Sequence, residues 1–251
     1  MVKLFEQGEF ASEYLDKISV INYNERRRRQ MEINIIGICG SPIKGGNTEV
    51  FLQEALKAAQ EAGNVTVELL TLAGKEIKEC KHCNWCITKQ EPDKFCAQSD
   101  DMDEIYPKVL KADALLVASP VYITRLSGLT ACLFDRFRVF AHSKIYGGKL
   151  ENKVGAALAV SWSRNLGIET TLLSIVSAFF VLGMIPISQA QGMGSAFGAA
   201  GLSSEAGTGK FDPRDKLLIL KDEFGLKGAR SLGKRVVEIS RLLKLGRSCC
   251  T

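Results

Sequence analysis

The segments ADALLVASPVY (Ala112–Tyr122) and KVGAALAV (Lys153–Val160) are apolar at nearly every position, the pattern of strands covered on both faces of a parallel sheet. Three further strands are expected at Ile33–Cys39, Val65–Leu72 and near Met184–Ser188. Between them, Phe51, Leu52, Ala55, Leu56 and Ala59 recur at helical spacing, and helices are predicted over Asp101–Leu110, Gly128–Phe140 and up to Phe180. Such an alternation predicts an α/β fold: a doubly wound, five-stranded parallel sheet with right-handed crossovers and helices on both faces, in three layers. Residues 189–211, rich in Gly, Ala and Ser, read as a flexible excursion before a closing helix over Asp215–Leu245 with a break near Gly225–Gly228. The domain is expected over 31–245, with 1–30 as an N-terminal extension or oligomerisation arm and 246–251 as a tail.

The chain carries 33 Lys and Arg against 28 Asp and Glu, but Arg26–Arg29 form one consecutive run and the remaining charges nearly balance. No basic face able to track nucleic-acid phosphates is therefore expected, and the run reads as solvated charge. Charges in the N-terminal residues interrupt any secretory signal, and the longest apolar run, Leu172–Ile187, is shorter than the ~20 residues that span a bilayer. The expectation is a soluble, cytoplasmic protein without nucleic-acid or membrane partners. With His82 and His142 the only histidines, no hydrolytic triad assembles.

Three loops follow the carboxyl ends of predicted strands, where open α/β sheets bind ligands. The first, GSPIKGGNTE (Gly40–Glu49), leads into a helix whose dipole and free N–H groups suit a phosphate; a capped turn is the plainer alternative. It matches neither a dinucleotide fingerprint nor a P-loop. The second runs from Ser119 to Thr124 and the third from Ser161 to Gly167; Tyr122 and Trp162 offer flat surfaces, though lone aromatics more often serve packing.

Four of the eight cysteines fall in one motif, Cys80-x2-Cys83-x2-Cys86-x9-Cys96, within a predicted cysteine-rich loop 78–98 after the second strand. In the reducing cytosol such thiols point to metal or redox chemistry rather than disulfides. Three thiolates in series with a fourth close by suit a [4Fe-4S] cluster; zinc and plain reduced thiols are the competing readings. Cys39 and Cys132 read as small buried hydrophobes; Cys249 and Cys250 read as an inert tail, with metal binding or oxidation of an exposed vicinal pair as the alternative; and His82 reads as solvent-facing, with an alternative ligand or a group supporting the ligands as the other reading.

Taken together, GSPIKGGNTE, SPVYITRLSGLTACLFDRF and the Gly-Ile-Glu-Thr-Thr of the third loop resemble the NADPH-dependent FMN reductase-like flavoproteins over about residues 31–190, and the cysteine motif narrows the resemblance to the iron-sulfur flavoproteins of flavodoxin-like fold. This resemblance implies FMN and a [4Fe-4S] cluster as cofactors. It implies that Ser41, Lys44, Asn47 and Thr48 hold the FMN phosphate, and that Pro120, Val121, Tyr122 and Ile123 line the ring. Ser161, Trp162, Ser163, Arg164, Asn165 and Gly167 would lie near the pyrimidine edge or ribityl chain, and Cys80, Cys83, Cys86 and Cys96 would hold the cluster. It further implies a homo-oligomer, dimer or tetramer, with ferredoxin or NAD(P)H as electron donor and a small acceptor. Two alternatives stand beside it: an NAD(P)H-dependent FMN or quinone reductase with a structural zinc, and a non-enzymatic interaction protein on the same scaffold.

Overall fold

A computed structural model describes residues 31–189, 195–210 and 213–249, without the side chains of 248 and 249. The expected N-terminal extension, the Arg26–Arg29 run and Cys250 lie outside the described residues. The elements run β1 (Ile33–Cys39), α1 (Asn47–Gln60), β2 (Val65–Thr71), α2 (Trp85–Thr88), α3 (Met102–Lys111), β3 (Ala114–Tyr122), β4 (Arg125–Leu126), α4 (Gly128–Arg136), α5 (Arg138–His142), β5 (Val154–Ser161), α6 (Ile168–Val181), β6 (Ile185–Ile187), β7 (Ala199–Leu202) and α7 (Glu223–Cys249). Among the described residues no helix is long and apolar enough to cross a membrane.

The parallel sheet has the order β2-β1-β3-β5-β6, with β7 also parallel to β5 and β4 antiparallel to β3. The fold is the expected doubly wound one, but the sheet has seven strands where the sequence predicts five. The difference lies partly at the far edge. There β6 pairs with the first half of β5 (Val154–Ala156) and β7 with its second half (Leu158–Ser161), so two short strands share one position end to end. The stretch read as an excursion thus returns to the sheet at Ala199. The remaining extra strand, β4, turns back on the end of β3.

Both faces of the sheet are covered, which is why β3 and β5 lack polar alternation. Phe51, Leu52 and Ala55 of α1 and Leu226, Ala229 and Val236 of α7 fill one side. Ile105, Tyr106, Leu133, Phe140 and Phe179 fill the other. Close approach is bought by glycine in one place that matters: a Cβ on Gly233 of α7 would stand 2.0 Å from the Ala55 carbonyl oxygen of α1.

Two helix predictions need correction. The stretch expected as one helix over Gly128–Phe140 is divided at Phe137, the shared cap of α4 and α5. The closing helix begins at Glu223, not Asp215, because the Asp222 carboxylate accepts from the Gly225 N–H at 3.0 Å and the Leu202 N–H at 2.8 Å. This cap sets the start of α7, which then runs unbroken to Cys249 and takes in residues expected to break it or to form a tail.

Candidate functional site: a cofactor cleft and a cysteine loop

A cleft of about 950 Å³ opens at the carboxyl ends of β1, β3 and β5. Ser41, Lys44 and Thr48 line it from the first loop, Pro120, Val121 and Tyr122 from the second, and Trp162 from the third. Ser203 and the segment Pro213 to Leu218 complete the wall. No sequence motif marks that last segment; it reaches the cleft through the pairing of β7 on β5.

The first two loops are joined by a buried network. The Ser127 hydroxyl donates to the Gly40 carbonyl at 2.6 Å and accepts from the Thr130 N–H, capping α4, while the Ser127 N–H donates to the Ser119 hydroxyl at 2.9 Å. A Cβ on Gly40 would fall 1.9 Å from the Thr130 hydroxyl oxygen, so glycine there allows the loops to meet. Sequence reasoning missed Ser127 and Thr130 because their work is support, not contact with the cleft.

The start of α1 fits a phosphate. Gly46 occupies the cap position with no side chain to satisfy the first-turn N–H groups, and nothing stands within 4 Å of where a Cβ on Gly45 would be. The unsatisfied donors and the positive end of the helix dipole face the cleft beside Ser41 and Lys44. Behind them, burial pushes the Cys39 thiol up to about 12, partly opposed by the Ser41 backbone N–H, so Cys39 is the buried neutral thiol expected from the sequence. Burial likewise raises the Tyr122 hydroxyl, with Cys39 adding to the shift.

Asn47 lines the cleft as well, with its amide already engaged: its NH2 donates to the Lys216 carbonyl at 3.0 Å and its oxygen accepts from the Ile219 N–H at 3.0 Å, clipping the 213–218 segment to the start of α1. Other predicted residues lie elsewhere. Ile123 is outside the cleft wall and 90% exposed, because Ile123 and Thr124 form a left-handed turn (φ 47° and 61°) between β3 and β4. Of the third loop only Trp162 lines the cleft. Ser161 is buried, donating to the Ser163 carbonyl at 2.8 Å, while Ser163 bridges to Thr208. Arg164 turns into an adjoining cavity and donates to the Ala206 carbonyl at 2.7 Å. Asn165 takes the left-handed conformation at φ 57°, and Gly167 packs so tightly that a Cβ would stand 2.4 Å from Thr124 Cα.

The cysteine loop lies on the other face, against α4, α5 and α6. Cys80, Cys83, Cys86 and Cys96 are all free thiols. The backbone winds sharply between them, with His82 and Asn84 left-handed (φ 51° and 57°) and the α2 turn carrying Cys86. Burial raises the Cys86 thiol, Arg138 opposes this, and Cys96, Cys80 and Cys83 raise it further, so Cys86 lies within electrostatic reach of the other three. Among the described residues, no three His, Cys, Asp or Glu side chains stand close enough to enclose a single metal ion. As a donor set, four unpaired thiols on one wound loop match what a cluster takes.

The loop is pinned at its edges. Phe95 stacks between Tyr146 (4.1 Å) and Tyr106 (5.1 Å), fixing the chain beside Cys96. Arg136, almost fully buried, pairs with Asp100 at 2.5 Å and donates to the Lys78 carbonyl at 3.0 Å. Burial alone would push the Asp100 carboxyl up; Arg136 and the Lys78 and Met102 N–H groups outweigh it and hold it below the usual carboxylate range. Two sequence readings change here. His82 is exposed but not merely solvent-facing, since Arg138 binds its Nδ1 at 2.6 Å, and Cys132 is only partly buried.

Comparison with known proteins accords with this geometry. The model of the NADPH-dependent FMN reductase family matches residues 33–198. An iron-sulfur flavoprotein of Methanocaldococcus jannaschii is 38% identical over 212 residues, spanning 84% of this chain and 100% of the relative. The chain belongs to the iron-sulfur flavoprotein family. This flavoprotein is accordingly an FMN-dependent oxidoreductase. The iron-sulfur flavoprotein of Methanosarcina thermophila is 41% identical over 155 residues, covering 62% of this chain and 77% of the relative. The solved structure of RosB shares the fold at a TM-score of 0.65 and 13% identity, covering 87% of this chain and 85% of RosB.

Proposed function

We propose that this flavoprotein transfers electrons between a [4Fe-4S] cluster held by Cys80, Cys83, Cys86 and Cys96 and FMN held in the cleft, from ferredoxin or NAD(P)H to a small acceptor. The observation that carries the reading is the gathering of four free thiols on one wound loop of a chain that also opens a cleft at the carboxyl ends of its strands. The names of the relatives support it. FMN exchanges electrons singly or in pairs and a cluster exchanges them one at a time, and the cofactors supply that chemistry while the protein binds, orients and tunes them.

In this reading the first-turn N–H groups of α1, with Ser41 and Lys44, receive the phosphate. Pro120, Val121 and Tyr122 present a mostly apolar wall to the ring, and Trp162 lines the same cleft. The 213–218 segment, clipped by Asn47, narrows access of water to the cleft. Exposed Leu173, Phe180 and Val181 on α6, beside the cysteine loop, support assembly into a dimer or tetramer. The proposed location is the cytoplasm, whose reducing conditions keep the four thiols available.

Substitution tests the ligand assignment. Cys83→Ala is expected to lose most bound iron while keeping FMN, measured as iron and flavin per chain after anaerobic purification. Full iron retention would refute the assignment.

A further inference from the structure

Arg138 opens α5 directly beside the cysteine loop, and its guanidinium reaches two loop residues at once. One terminal nitrogen lies 2.6 Å from His82 Nδ1 and the other donates to Asn84 Oδ1 at 2.7 Å. A guanidinium has donors and no acceptor, and it stays protonated, so His82 Nδ1 must accept. That fixes the His82 ring as the tautomer carrying its proton on Nε2.

His82 and Asn84 flank Cys83 and are the two left-handed residues of the Cys80–Cys86 run, a conformation that costs a non-glycine residue energy and persists only when its surroundings enforce it. Asn84 also anchors α2, its carbonyl accepting from the Ile87 and Thr88 N–H groups at 3.0 Å each. The fork of Arg138 therefore grips both turns and, through Asn84, the turn that carries Cys86. Asp135 and His142 line the same cavity as Cys80, His82 and Arg138, and among the described residues no ion pair draws Arg138 away from the loop.

We infer that Arg138 is a positioning residue of the cysteine loop, one that fixes its two left-handed turns and sets a permanent positive charge beside the thiolates, raising the reduction potential of the group they hold. The inference rests on the cluster reading above. A cluster with four thiolate ligands becomes more negative on reduction, so a fixed neighbouring cation favours its reduced state, and net charge and hydrogen bonding are the levers that set such potentials.

Two variants of the full-length, anaerobically purified holoprotein test it. Arg138→Gln removes the charge, and Arg138→Lys keeps the charge without the fork. Potentiometry of Arg138→Gln is expected to show the cluster reduced with an equilibrium constant at least tenfold lower, ~59 mV more negative for a one-electron couple, at unchanged FMN content. Arg138→Lys should recover most of that shift. In iron-free protein, where the loaded cofactor plays no part, the ¹⁵N signals of His82 should report the Nε2–H tautomer in the wild type and tautomer averaging in Arg138→Gln. Wild-type potential and an unchanged His82 signal in Arg138→Gln would overturn the inference. A wild-type protein that takes up no iron would overturn the cluster reading, and with it the redox half of the inference, while the His82 signal still decides the clamp.

Discussion

At the scale of single residues, side chains in this flavoprotein divide between those that face the cofactors and those that hold the facing residues still. Asn47 lines the cleft and also holds its wall. Asn47→Ala removes two hydrogen bonds to the 213–218 segment and its neighbour, each worth about 1 kcal/mol, and is expected to weaken FMN binding about tenfold by freeing that segment. Flavin fluorescence titration checks this, and unchanged affinity would show the clip to be idle. Asp100 supplies a second test. Its side chain is fully buried against Arg136, and Asp100→Asn, which strands that guanidinium, is expected to destabilise the protein by about 3 kcal/mol in denaturant unfolding. Because the folded-state pKa of Asp100 is lowered, its contribution is complete above the ordinary carboxylate range and is lost as pH falls through and below it. The wild type should therefore lose stability more steeply than Asp100→Asn below about pH 4. The placement of the first two loops at the cleft was legible because each directly follows a strand whose apolar run marks its carboxyl end. The clip made by Asn47 was not, since its partners lie about 170 positions away, beyond any local pattern.

At the scale of elements, the strands that are buried on both faces announced themselves, while those at the margin did not. β3 and β5 follow directly from their unbroken apolar runs. β7, with the sequence Ala-Ala-Gly-Leu, has little strand propensity and forms because β5 offers it an unpaired edge. The start of α7 was hidden for a similar reason: the Asp222 cap depends on a bond to Leu202 that only the folded sheet supplies. The packing of the third loop was hidden at this scale, since its residues after Trp162 pack on the 204–208 segment and on the β3–β4 turn and do not line the cleft. Gly167→Ala tests that packing. A Cβ there meets Thr124 backbone at 2.4 Å, at a φ of 94° that disfavours alanine, so the second loop must shift. The variant is expected to lose about 2 kcal/mol of stability and several-fold in FMN affinity, read by thermal unfolding and by flavin titration.

At the scale of the whole molecule, one sheet separates two functional regions. The cofactor cleft sits at the carboxyl ends of the strands, where the topology switches direction, and the cysteine loop is held on the opposite layer by aromatic stacking, a buried ion pair and the Arg138 fork. The two regions are lined by different residues, so the cysteine and loop substitutions are expected to remove one cofactor and spare the other. The central claim is that both regions are loaded in one protein. It is tested most directly by the ultraviolet-visible spectrum of anaerobically purified protein, with iron, sulfide, zinc and flavin assayed on the same sample. The account predicts flavin bands over a broad cluster absorbance, with about four irons and one FMN per chain. Flavin bands with zinc and no iron, or a colourless protein that cannot be reconstituted with FMN, would contradict it.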